Sequence, residues 1–192
     1  MIYDFENKNI QIKIVYYGPA MSGKTTSLKY LFSHFNKINN IESIESTVGR
    51  TLFFDFGVLT FRGQDWGLKY LIYSATGQDF YAGTRPATLN GVDGIIFVAD
   101  SQHNHQRENM RSWNELINLF GENIKNIPIV IALNKYDLCK TQNNGNCFIE
   151  KLNLNFFKNI CVMKTIATRG YGILDSFKKM TNYLFPEAKL FA

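Results

Sequence analysis

Two hydrophobic periods take turns along this chain. Ile10 to Tyr17 is an apolar-rich run, and Leu28, Leu31, Phe32 and Phe35 then recur at the spacing of one helix face. From Asn36 to Gly49 the sequence turns polar without a clear period, which predicts a loop. Arg50 to Phe56 predicts a short aromatic strand, and Leu68 to Tyr73 a second one after a turn around Gly63 to Gly67, so the two should pair as a hairpin. A loop from Ser74 to Arg85 leads into a predicted helical stretch around Pro86 to Gly91.

Gly94 to Ala99 is continuously apolar, as a strand covered on both faces must be, and Asp100 ends it. Met110, Trp113, Leu116, Ile117 and Phe120 make a helix stripe that faces a core. Pro128 to Leu133 repeats the buried-strand pattern. Ile160 to Thr165 predicts a third such strand, followed by a helix carrying Leu174, Phe177 and Leu184. Strands alternating with helices imply an α/β fold: a mostly parallel sheet, right-handed crossovers, helices on both faces and a ligand at the carboxyl ends of the strands.

Composition narrows this picture without redirecting it. A chain of 192 residues is most simply one domain, with a core from about residue 10 to 186 and short extensions at each end. The net charge of +5 is spread without a long block, and no basic-aromatic interleaving or recognition motif accompanies it, which argues against nucleic-acid binding. Three cysteines (Cys139, Cys147, Cys161) without C-x-x-C spacing fit a reducing compartment, so a cytoplasmic protein is expected. No stretch approaches the roughly 20 apolar residues of a membrane span. The ends show neither a prenylation box nor a glycine after Met1, so no lipid anchor is expected. His103 and His105 form an H-x-H pair without a third ligand, read as solvated, and His34 is an ordinary helix position.

Chemistry concentrates where strands end. Gly18-Pro19-Ala20-Met21-Ser22-Gly23-Lys24-Thr25 fits G-x-x-x-x-G-K-[ST] between a strand and a helix, the context that pattern requires to cradle the phosphates of a nucleoside triphosphate. Gly18 and Gly23 let backbone N–H groups approach phosphate oxygens, and the helix start presents its positive end to the same charge. Lys24 adds a cation, Thr25 offers a hydroxyl to Mg²⁺, and Ser22 and Thr26 join the nucleotide contacts.

Asn134-Lys135-Tyr136-Asp137 follows the Pro128 to Leu133 strand, about 110 residues beyond Lys24. Here the chain resembles the Ras-like GTPases, whose base-reading motif is N-K-x-D. The Asp137 carboxylate can accept from the N1–H and exocyclic amine of guanine, whereas adenine offers no such donor pair. The resemblance implies that Lys135 lies along the base, that Asn134 ties this loop to the phosphate loop, and that Ala167 and Thr168 stand where the family makes a third base contact, Ala167 through its backbone N–H.

Arg50 to Phe56, Gly77-Gln78-Asp79-Phe80-Tyr81 and Gly91 to Ser101 together look like the mutual-gliding MglA-type GTPases, which are prokaryotic polarity switches. The resemblance runs from about Ile14 to Leu184 and is thin between Cys139 and Lys158. It implies a P-loop NTPase fold of the Ras-like G-domain kind and a GTPase that uses Mg²⁺ and is slow without a partner. It also implies a roadblock-domain homodimer as activating partner, and a chain that is monomeric alone. Residue by residue, Thr51 would bind Mg²⁺ with Thr25, with Thr47 as the competing candidate. Arg50 would reach the γ-phosphate in cis, Gln78 would position water, and Gly77 would join the nucleotide site.

Most Ras-like proteins carry D-x-x-G before the glutamine, with the aspartate holding Mg²⁺ through water; here the text is Ser74-Ala75-Thr76-Gly77. The MglA-type group also lacks that aspartate. Asp55 or Asp100 could compensate, although strand-end carboxylates are the plainer reading of both. A GTP-binding interaction module with negligible hydrolysis is therefore a competing function. A small-molecule kinase would share the phosphate loop but leaves Asn134 to Asp137 without a role.

Overall fold

In the computed structural model, the described residues are 1–37, 41–45, 51–63, 65–77, 83–139 and 146–187, with the backbone alone for 41–45, 51–54, 146 and 147. The strands are β1 (Ile2–Asp4), β2 (Asn9–Tyr17), β3 (Ile41–Glu45), β4 (Thr51–Arg62), β5 (Gly67–Ala75), β6 (Gly94–Asp100), β7 (Ile129–Asn134) and β8 (Ile160–Lys164). The helices are α1 (Lys24–His34), α2 (Arg85–Leu89), α3 (Gln106–Phe120), α4 (Asn146–Ile149) and α5 (Ile173–Leu184). One sheet runs in the order β3-β4-β5-β2-β6-β7-β8, with β1 beside the start of β2. The pairings from β5 through β2, β6 and β7 to β8 are parallel; β3, β4 and β5 form an antiparallel meander at one edge.

Helices cover both faces, as the alternating pattern requires. On one face Leu28, Leu31 and Phe32 of α1 pack with Phe177 and Met180 of α5 over Ile12, Ile14 and Ile96. On the other, Leu89 of α2, Trp113 and Leu116 of α3 and Phe148 of α4 pack over Val15, Phe97 and Ile131. Each such fully buried side chain contributes about 1.5–3 kcal/mol relative to exposure. Every residue of β6 and β7 is buried, matching the two continuous apolar runs. Gly94 lets α5 pack close to β6, since a Cβ there would meet Met180 Sδ of α5 at 2.4 Å and force that side chain to shift.

Helix ends follow local chemistry. Asn36 takes a left-handed φ of 54°, and the Lys37 N–H donates to Phe32 O while Asn36 N–H donates to Ser33 O. That pair of bonds satisfies the last carbonyls of α1 and stops it.

Three expectations change. The polar stretch 36–49 contains β3, an edge strand paired with β4, for which no apolar period is needed because an edge is blunted by polar residues. The aromatic strand starts at Thr51 and continues to Arg62, because the hairpin partner β5 extends its ladder to Gly67. Ile160–Lys164 is an outer strand and only half-buried, with Lys164 exposed. The unforeseen β1 pairs antiparallel with Asn9–Gln11.

Candidate functional site

The phosphate loop joins β2 to α1 at the carboxyl end of the sheet. Gly18 (φ 142°) and Gly23 (φ 104°) both occupy backbone that favours glycine. They are also in tight quarters: a Cβ on Gly18 would lie 2.2 Å from Val98 O, and one on Gly23 would lie 2.1 Å from Asn134 Nδ2. Lys24 is buried, and its Nζ donates to Gly18 O (2.9 Å) and Pro19 O (2.7 Å) of the loop itself. Burial, seconded by the nearby Arg85 charge, pushes its ammonium down to about 7. The Ser22 hydroxyl is buried and has no hydrogen-bond partner among the described residues, an orphaned group inside a loop built to meet oxygens. Thr26 lies exposed just beyond.

Thr25 Oγ1 donates to Asp55 Oδ2 at 2.5 Å. Asp55 is fully buried on β4 and stands opposite Ser74 of β5 in the antiparallel register. The Ser74 hydroxyl is itself buried without a partner among the described residues. A hydroxyl beside a buried carboxylate is an all-oxygen set of the hardness Mg²⁺ prefers. The other carboxylate considered, Asp100, is engaged elsewhere: its Oδ2 accepts from Lys135 Nζ at 2.6 Å, and its Oδ1 accepts from the Gln102 N–H at 3.0 Å.

Asn134, at the end of β7, is the joint of the site. Its Nδ2 donates to Ser22 O at 2.8 Å, while its Oδ1 accepts from the Ala167 N–H at 2.9 Å and from Thr165 Oγ1 at 3.3 Å. One buried amide thus binds the phosphate loop to the loop after β8, across more than a hundred residues of sequence. Lys135 adopts a left-handed φ of 58° and Asp137 lies exposed in the short turn 136–138 that follows. Ala167 is buried and Thr168 exposed in the neighbouring turn. The Ala167 N–H is already engaged by Asn134, so any guanine carbonyl there shares it.

Gly77 sits on the phosphate loop: a Cβ on it would lie 2.3 Å from Ala20 N and 2.5 Å from Pro19 C. Gln78, Arg50 and Thr47 lie outside the described residues, as does the Thr51 side chain, although the Thr51 backbone opens β4. His103 and His105 form a short turn, with His105 Nε2 3.9 Å from Asp100 Oδ2; no group of three metal-ligating residues occurs among the described residues. Sequence reasoning passed over Arg85, which is buried and spans from Thr76 to Glu115. Its only signal was an arginine before Pro86 in an otherwise apolar helix start.

The sequence profile of the ADP-ribosylation factor family matches residues 1–184. The mutual gliding-motility protein MglA of Myxococcus xanthus is 36% identical over 193 aligned residues, covering 97% of this chain and 96% of that protein. The Ras-related protein RABF2a of Arabidopsis thaliana is 30% identical over 182 residues, covering 93% of this chain and 83% of its own length. With a phosphate loop clasped to an N-K-x-D turn by Asn134, on a sheet of this topology, the chain belongs to the ADP-ribosylation factor family of Ras-like small GTPases and is of the MglA type.

Proposed function

We propose that this GTPase is a cytoplasmic switch in cell polarity or gliding motility. Its GTP-bound form is recognised by a partner, and a roadblock-domain homodimer accelerates its return to GDP. The observation that carries the nucleotide part is the Asn134 clasp, because it fixes the spacing between a phosphate cradle and a guanine-reading carboxylate. In this reading Gly18, Ser22, Gly23, Lys24, Thr25 and Thr26 hold the phosphates. Asp137 selects guanine, Lys135 lies along the base, and the Ala167–Thr168 turn closes over it. Gly77, packed against Pro19 and Ala20, meets the terminal phosphate.

Magnesium fits the oxygen set at Thr25 and Asp55, with Thr51 joining from the start of β4. When bound, it neutralises charge on the last two phosphates. Thr25 would give its hydroxyl oxygen to the ion, and Asp55, released from the Thr25 proton, would hold a water of its shell. Asp55 thereby takes over from the D-x-x-G aspartate that Ser74 replaces, which removes the main support for a module that binds GTP without hydrolysing it. Arg50 spreads positive charge over the γ-phosphate oxygens and Gln78 orients the attacking water.

The test is single-turnover hydrolysis of GTP and ATP, with and without a purified roadblock-domain partner. GTP turnover that rises with partner while ATP stays unbound supports the reading. Equal affinity for both nucleotides, or partner-independent turnover, sinks its guanine or its partner half respectively.

A further inference from the structure

Arg85 is nearly fully buried, yet it stands between the sheet and an outer helix rather than in a solvated groove. Its Nε–H donates to Thr76 O at 2.9 Å, and its Nη1 forms an ion pair with Glu115 of α3, whose side chain is partly exposed. The hydroxyl of Tyr17, at the end of β2, lies close to this pair, and burial raises its pKa well above the ordinary tyrosine value, with Glu115 adding to the rise and Arg85 opposing it. A buried guanidinium is costly unless its donors are met, so the fork geometry of arginine is itself a constraint on what it bonds.

What it bonds is the last peptide before the chain crosses the phosphate loop. A trans peptide is planar, with its C=O and N–H pointing in opposite directions. Pulling Thr76 O toward Arg85 therefore turns the Gly77 N–H to the other side. Gly77 is also the residue wedged against Pro19 and Ala20, where no Cβ fits. The β4–β5 ladder ends one residue earlier, at Ala75, so this peptide lies beyond the sheet pairing. The Arg85 charge reaches the phosphate site too, since it is among the causes that hold the Lys24 ammonium below its ordinary range.

We propose that Arg85, anchored by Glu115 on α3, is a positioning residue that orients the Gly77 N–H toward the terminal phosphate of GTP. Through that pair, α3 communicates with the phosphate site. The inference rests on the phosphate-loop reading above. It separates from a merely structural role because the Gly77 N–H would serve the γ-phosphate alone, so GDP binding does not depend on it.

The experiment measures GTP-analogue and GDP affinities, and melting temperature with GDP bound, for the wild type, Arg85→Met, Arg85→Lys and Glu115→Gln. Arg85→Met is expected to lower the GTP-to-GDP affinity ratio about tenfold, the scale of one lost charge-assisted hydrogen bond. Arg85→Lys keeps the charge but not the fork and should not restore the ratio. Glu115→Gln keeps an acceptor for Arg85 and should retain most of the wild-type ratio. A ratio unchanged in Arg85→Met, or restored in full by lysine, overturns the proposal. So does a fall of both affinities in parallel with stability. If Arg85→Met does not fold, Glu115→Ala at the partly exposed end carries the same test, an unchanged ratio again being the overturning result. Failure of the wild-type chain to bind GTP at all would count instead against the phosphate-loop reading.

Discussion

Asp55 of β4 and Ser74 of β5 face one another across an antiparallel pair, so a buried carboxylate stands directly opposite the serine that occupies the first position of D-x-x-G. From there it accepts a hydrogen bond from the Thr25 hydroxyl. In the proposed metal site Asp55 would supply, from the neighbouring strand, the charge that Ser74 lacks.

Asp55→Asn should weaken Mg²⁺ affinity of the GTP complex by about tenfold or more, the scale at which outer-shell carboxylates act. Thr25→Ala should weaken it further by removing the ligand itself. Ser74→Asp alone should destabilise the fold, because two carboxylates would oppose each other across one strand pair. The exchange Asp55→Ser with Ser74→Asp should recover much of the metal affinity. Nucleotide retention during Mg²⁺ titration in chelator buffers reads all four; an unchanged metal requirement in Asp55→Asn would remove this carboxylate from the site.

Asp137 is exposed at the carboxyl end of the sheet, beside the turn that Asn134 holds in place. Asp137→Asn should shift preference from guanine toward xanthine, whose C2 carbonyl a carboxylate repels and an amide can bond. Competition titration with GTP, XTP and ATP checks the order. Retained GTP selectivity in the variant would move the base-reading role to another residue.

Asn134→Ala breaks three bonds at once and leaves Ser22 O, the Ala167 N–H and Thr165 Oγ1 without their partner. Unpaired buried groups cost about 1–3 kcal/mol each before relaxation, so a loss of about 3 kcal/mol in stability is expected. Urea unfolding measures it. Guanine nucleotide affinity should fall as well, because the clasp sets the distance between the phosphate and base ends of the site.

Legibility followed burial. The apolar runs at 94–99 and 128–133 and the helix stripes through Trp113 and Phe177 were readable because both faces of the sheet must be covered, and the structure buries them as expected. The two nucleotide motifs were readable because glycine geometry and charge leave little freedom in residue type. Edge elements were not: β3 and β1 each have a neighbour on one side alone, so their polarity carries no period. The partners of Asp55 and Arg85 were hidden for another reason. Each depends on a long-range approach, β4 to the start of α1 and α2 to α3, that leaves no mark on local spacing.

Arg50 and Gln78 carry the catalytic half of the proposal. An arginine acting on a transferring phosphoryl group is worth about 10³ to 10⁵ in rate, so its removal belongs in turnover rather than affinity. Arg50→Ala and Gln78→Leu should each keep GTP affinity within a few-fold and abolish partner-stimulated hydrolysis. Stimulated turnover that survives Arg50→Ala would assign the charge to the partner.

Lys24 links nucleotide binding to pH. In the nucleotide-free chain its ammonium is buried, held by two loop carbonyls and pushed down to about 7 from an ordinary value of 10.5. Between those values the unfolded chain binds more protons than the folded one, so stability of the free protein should rise with pH through that window. Below about pH 7 lysine is protonated in both states, the slope vanishes and the full penalty remains. A triphosphate reverses the balance, because its charge favours the ammonium that burial disfavours. Binding GTP near pH 8 should therefore take up a proton at Lys24, and calorimetry in buffers of different ionisation enthalpy should show this uptake. Lys24→Met should lose both the proton uptake and the pH-dependent gain in melting temperature between pH 7 and 10. If the variant keeps the wild-type slope, the titrating group lies elsewhere and Lys24 enters the complex already charged.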